Sequence, residues 1–111
     1  MAILITEKKC SGIRVALQEA GKEIAHAYVY FIHNDRHPEP YALLENVLVV
    51  EEYRGKGKGT ELLVAAIAEA KKKGCYKFVC TSRSENVIAH GLYRKLGLSE
   101  QGVEFRLDLS S

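Results

Sequence analysis

The stretch Arg54-Gly-Lys-Gly-Lys-Gly59 lies between an apolar run, residues 41–50, and a region of helical periodicity. A strand must therefore pass through a glycine turn directly into a helix. Alternate glycines let successive backbone N–H groups point into one concavity, and the helix start adds partial positive charge, so the loop reads as a phosphate cradle. Arg54, Lys56 and Lys58 would add charge-assisted contacts to the oxygens. Two familiar cradles are excluded by spacing. No lysine precedes Thr60, as a Walker loop requires, and the glycines follow G-x-G-x-G rather than the dinucleotide pattern G-x-G-x-x-G. A solvated basic turn and an RNA-contacting loop are the competing readings; the second lacks interleaved aromatics.

The loop sets the rest of the reading. Leu62, Leu63, Ala66, Ile67 and Ala70 fall on one helical face, and Lys71, Lys72, Lys73 and Gly74 mark its end. Upstream, residues 2–7 read as a short strand and 13–20 as a half-buried one. Gly21-Lys22 reads as a turn, and residues 24–33 as a longer strand, which gives an antiparallel hairpin. Residues 34–40 hold both prolines and form a loop. Downstream, residues 76–81 read as a strand, 86–96 as a helix stopped by Gly97, and 102–109 as a final strand. A strand–helix–strand unit over residues 41–81 implies a parallel pair. The expected fold is α/β (α+β), a mixed sheet with antiparallel N-terminal strands, a central parallel β-α-β pair and packed helices, in one domain over residues 1–111.

Composition narrows the function classes. The 111 residues carry a formal charge of +2, too mild for a duplex nucleic-acid binder. No apolar run approaches the roughly 18–20 residues that cross a bilayer, and the first residues do not read as a signal peptide. Cys10, Cys75 and Cys80 form no CxxC pair, so neither a disulfide framework nor a zinc site is expected. His33 and His37 have the spacing of a helical metal pair, but Asn34, Asp35 and Pro38 oppose a helix there. His26 and His90 read as surface or packing residues. A cytoplasmic protein without metal is expected.

With these motifs in hand, the chain resembles the GNAT family of N-acetyltransferases. Arg54, Gly57 and Gly59 match that family's pyrophosphate loop: Arg or Gln, two residues, Gly, one residue, then Gly or Ala. Asn86-Val-Ile-Ala-His-Gly-Leu-Tyr-Arg-Lys-Leu-Gly-Leu98 resembles its second signature. The resemblance covers residues 13–109 and implies acetyl-coenzyme A as acyl donor. It implies that Val47, Leu48 and Val49 offer backbone groups to the pantetheine arm. Gly55, Lys56, Gly57, Lys58, Gly59 and Thr60 would wrap the pyrophosphate with Arg54. Asn86 and Tyr93 would stand by the cofactor, Tyr93 near the thioester sulfur.

The chemistry of such a transfer needs a base for the ammonium, a donor for the oxyanion and an acid for the leaving thiolate. Glu45 is the candidate base, because it interrupts an apolar strand and resembles the carboxylate of glucosamine-type members. Tyr93 is the candidate acid. The expected function is direct transfer of acetyl to a primary amine of a small molecule, peptide or protein; the alternative is a non-catalytic acyl-coenzyme A sensor or scaffold. Only about six residues, 8–13, separate the first two expected strands, where the family usually places helices that wall the acceptor site. The acceptor side is thus expected to be open to a large substrate or closed by a second subunit, as a homodimer.

Overall fold

In the computed structural model, which describes residues 1–110, the alternating segments become strands β1 (Ser11–Glu19), β2 (Lys22–Ile32) and β3 (Tyr41–Val49). β1 pairs antiparallel with β2, and β2 with β3. Helix α1 (Lys58–Lys72) then returns the chain to β4 (Phe78–Val79), which runs parallel to β3. The sheet order is β1-β2-β3-β4, the expected mixed sheet with a parallel pair at its end. Helix α2 (Val87–Lys95) follows. The chain divides into two compact units, Met1–Cys80 and the residues from Thr81 onward.

The first unit owes its core to one side of the sheet. Ala25, Ala27, Val29 and Phe31 of β2 and Ala42 and Leu44 of β3 are buried, as are Leu62, Leu63, Ala66 and Ala70 of α1. Alanines at the centre of β2 and β3 let the helix come close, and burying each leucine contributes about 1.5–3 kcal/mol. Ile67, expected on the same helical face, lies half-buried at its margin. The helix ends as its sequence suggests. Gly74 takes φ of 83°, its N–H bonds Lys71 O, and Cys75 N–H reaches back to Ala70 O. This pattern closes the open carbonyls of the last turn.

The structure departs from expectation at both ends and at one turn. Residues 2–7 form no strand, and Ile3, Leu4 and Ile5 are exposed. Residues 102–109 form none either, although Val103, Phe105, Leu107 and Leu109 alternate with charged residues; all four are more than three-quarters exposed. Alternation marks strand competence, but a strand exists only where another supplies its hydrogen bonds, and neither segment joins the ladder. The strand expected over 76–81 contracts to Phe78–Val79. The hairpin turn sits one residue early, on Ala20 and Gly21, with φ of 52° and 78°.

Candidate functional site

β3 changes character halfway along. Tyr28 lies opposite Glu45 and His26 opposite Leu48, so Asn46 and Val47 together face the single residue Ala27. Asn46 has φ of 57°, a left-handed turn that asparagine tolerates better than most residues. This is a β-bulge, and bulges re-aim a strand. The parallel pairing with β4 covers only Ala42 and Leu43. Beyond it the β4-side edge of β3 has no neighbouring strand among the described residues. Val50 donates to Ile24 O on β2, so by strand alternation Val49 turns its N–H and C=O toward that unpaired edge. The Arg54 Nε–H donates to Val49 O at 3.0 Å, which leaves the Val49 N–H as the edge's donor.

After a single 3₁₀ turn, Glu51–Tyr53, the glycine loop leads into α1. Gly55 and Gly57 have φ of 77° and 78°, and a Cβ at either would meet nothing within 4 Å. Torsion, not crowding, demands glycine here. Gly57 is also the N-cap of α1, and no side chain caps the helix. The carbonyl of Gly57 accepts from Glu61 N–H. The N–H groups of Lys58, Gly59 and Thr60 therefore open the helix without an intrahelical acceptor, in the arrangement that receives anions. These residues fit the pyrophosphate of a coenzyme A.

The loop cations are less available than their sequence suggested. Lys58 Nζ lies 3.1 Å from Glu61 and 3.7 Å from Glu19, and this pairing, Glu61 foremost, raises its pKa. Lys56 Nζ lies 5.5 Å from the centroid of the Tyr53 ring. The Glu19 carboxylate beside the Tyr53 hydroxyl holds the Tyr53 pKa above its ordinary value. Glu19, at the β1–β2 hairpin, thus ties the loop to the sheet; sequence reasoning missed it because its partners are more than 30 residues away. Arg54 keeps its two Nη groups without a partner among the described residues.

Glu45 is exposed on β3 and has no hydrogen-bond or ion-pair partner among the described residues. It shares a sheet face with Tyr28 and Arg14, which stand directly across the strands from it. In the second unit, Asn86 is the N-cap of α2: its Oδ1 accepts from Ala89 N–H at 3.2 Å. Tyr93 is half-buried on the same helix. Gly97, with φ of 96°, ends it by the same closing pattern as Gly74, with Leu98 N–H on Tyr93 O. Val47 to Val49 and Arg54 to Thr60 are thus brought together by continuous chain, while Asn86 and Tyr93 belong to a separate unit.

The remaining candidates do other work. His37 packs its ring 4.1 Å from that of Tyr76. Partial burial pushes the Cys75 thiol upward, away from nucleophilic use. No group of three potential metal ligands occurs among the described residues, and no described helix is long and apolar enough to cross a membrane. A shallow notch lined by Ile13, Phe31, Glu69, Lys72 and Lys73 lies at the far end of α1 from the glycine loop.

Comparison with known proteins bears on this arrangement. An aminoglycoside N(6')-acetyltransferase type 1 from Acinetobacter genomosp. 13 is 34% identical over 86 residues, which is 78% of this chain and 55% of the relative. A glucosamine 6-phosphate N-acetyltransferase from Trypanosoma brucei brucei is 35% identical over 66 residues, 60% of this chain and 43% of the relative. The chain thus spans about half the length of these curated relatives. Among solved structures, a putative acetyltransferase from Agrobacterium tumefaciens str. C58 superimposes with a TM-score of 0.78 at 29% identity, covering 84% of this chain and 65% of that one. Residues 4–98 match the acetyltransferase (GNAT) family, and with the strand–glycine-loop–helix described above the chain belongs to that family.

Proposed function

We propose that the chain is an acetyl-coenzyme A-dependent N-acetyltransferase acting by direct transfer within a ternary complex, with residues 1–111 working as one catalytic domain in the cytoplasm. One observation carries the reading: an uncapped helix start behind two left-handed glycines adjoins a strand edge with a turned-out N–H. That combination suits a pyrophosphate joined to an amide-bearing arm. The three opening N–H groups and the Arg54 Nη groups would hold the phosphates, and the Val49 N–H would meet the arm as it runs along Val47 to Val49. The backbone groups of Leu48, expected to help, turn toward β2 instead. The aminoglycoside and glucosamine phosphate relatives support an amine as acceptor.

In this reading Glu45 removes a proton from the acceptor ammonium, directly or through water. The freed nitrogen attacks the thioester carbonyl, and an edge N–H of β3 stabilises the oxyanion. The C–S bond breaks as the N–C bond is completed, and Tyr93 gives its proton to the thiolate. The nitrogen's second proton, released as the amide forms, passes through solvent to restore the Tyr93 hydroxyl. Asn86 serves the cofactor side. The products are an N-acetylated amine and free coenzyme A.

Calorimetric titration with acetyl-coenzyme A, followed by thiol release across amines, amino sugars and peptides, tests the reading. Saturable binding and amine-dependent release are expected. Binding without release to any amine would make the chain an acyl-coenzyme A sensor or scaffold, and no binding would sink both. Tyr93→Phe and Glu45→Gln should each lower kcat about 100-fold or more.

A further inference from the structure

The face of the sheet away from α1 is laid out in rows. Gly12, Tyr30 and Leu43 form one row across the strands; Arg14, Tyr28 and Glu45 form the next; Ala16, His26 and Leu48 the third. Within Met1–Cys80 no helix lies on this face. Tyr30 is 40% exposed and Leu48 45%. The rings of Tyr28 and Tyr30 are parallel within 7° at a centroid distance of 6.3 Å. Tyr30 occupies its position because residue 12 is glycine: a Cβ there would sit 2.6 Å from the Tyr30 ring.

The charges of these rows do not balance. Arg14 forks onto Glu23 at 2.6 and 2.7 Å and donates to the Tyr28 hydroxyl at 3.3 Å. His26 Nδ1 also meets Glu23, at 3.2 Å. Arg14 is therefore spoken for, its guanidinium also lying 5.8 Å from the Tyr28 ring centroid. Glu45, opposite Tyr28 and diagonal to Tyr30, has no ion-pair partner among the described residues. Further along the same face, Lys77 Nζ lies 5.0 Å from the Tyr41 ring centroid and 5.5 Å from that of Tyr76. Tyrosines of this surface already hold an ammonium group of the chain itself.

We propose that this face seats the acceptor and selects amines that carry a second ammonium group, with the reacting nitrogen at Glu45 and the second cation on the exposed Tyr30 ring. The assignment of the reacting nitrogen rests on the N-acetyltransferase reading above. The register sets the spacing. Tyr30 is diagonal to Glu45 across the β2–β3 pair, which places its side chain about 7–8 Å away. A neutral apolar second group would gain only van der Waals contact with the Tyr30 ring, whereas a cation is also attracted to its face.

The test compares cadaverine, whose two nitrogens are separated by about that distance, with pentylamine. Thiol release should give cadaverine the higher kcat/KM beyond the factor of two for its two amines. Tyr30→Leu should cut the cadaverine-to-pentylamine ratio about two- to fivefold, and Tyr30→Phe, which keeps the ring, should restore it. An unchanged ratio in Tyr30→Leu would overturn the platform. Calorimetric binding of the two amines, without acetyl-coenzyme A, separates the two readings: preferential cadaverine binding lost in Tyr30→Leu with no thiol release would sustain the platform and sink the transferase. A dimer in sedimentation that Tyr30→Leu dissolves would put a second copy on this face and overturn the proposal.

Discussion

Ala20 occupies a position that costs it energy. With Gly21 it forms the two-residue turn of the β1–β2 hairpin, and both have positive φ. The left-handed region costs an alanine about 1–2 kcal/mol relative to its preferred torsions. Asparagine is the favoured first residue of this turn, so Ala20→Asn should stabilise the protein by about 0.5–1 kcal/mol, read as a higher urea midpoint at unchanged slope. Gly21 announced the turn in the sequence, but nothing in Ala20 does. Glu23 carries a second expectation. Its double hydrogen bond from Arg14 lowers its pKa from 4.5 to about 2. The folded state therefore binds the Glu23 proton less readily than the unfolded chain. Its contribution is full above pH 4.5 and disappears as pH falls toward 2. Urea midpoints of the wild type and Glu23→Gln should differ by a small, constant amount near neutrality and converge through that window. Salt should shrink the difference, because the pair is exposed.

The elements were legible wherever the local signal and the tertiary partner agreed. β2, β3 and α1 have strong periodicity and a core to bury it in, so the chain order alone places them within a residue or two. Residues 102–109 show the other case: their alternation is as clear as that of β1, yet a strand's hydrogen bonds belong to its neighbour and cannot be read from its own residues. The Asn46 bulge escaped for a related reason. In the sequence Glu45 reads only as a polar interruption of an apolar strand, whereas the extra residue beside it is visible only against the register of β2. Helix α2 offers a test of what its first residue is for. Asn86 caps it through Oδ1, a structural duty that any side-chain acceptor can meet. Asn86→Ala should cost about 1 kcal/mol and lower helicity. Asn86→Asp keeps the acceptor and removes the amide donor. Retained helicity with weakened acetyl-coenzyme A binding in Asn86→Asp would show a second role at the cofactor; retained binding would confine Asn86 to its cap.

For the whole molecule the formal charge of +2 conceals how its charges are arranged. Three cations in six residues of loop suggested a strongly positive cradle, and that much could be read from the chain. In the fold these side chains are engaged: Lys58 by Glu61 and Glu19, Lys56 by the Tyr53 ring, Arg54 by the Val49 carbonyl. The backbone and the partnerless Arg54 Nη groups thus supply most of the attraction to a pyrophosphate, with Lys58 held in reserve by its carboxylates. A polyanion arriving at the loop competes with Glu61 for that ammonium. Removing the competitor should help the ligand: Glu61→Gln should tighten acetyl-coenzyme A about two- to threefold at low ionic strength, the scale of an exposed pair. Salt near 1 M, where the screening length is about 3 Å, should erase the gain. Lys58→Gln should weaken binding by less than Arg54→Gln, since Lys58 gives up an existing partner to bind and the Arg54 Nη groups do not. Calorimetry of the three variants at two salt concentrations reads all of this, and a Glu61→Gln protein that binds no tighter at low salt would mean that Lys58 does not reach the phosphates.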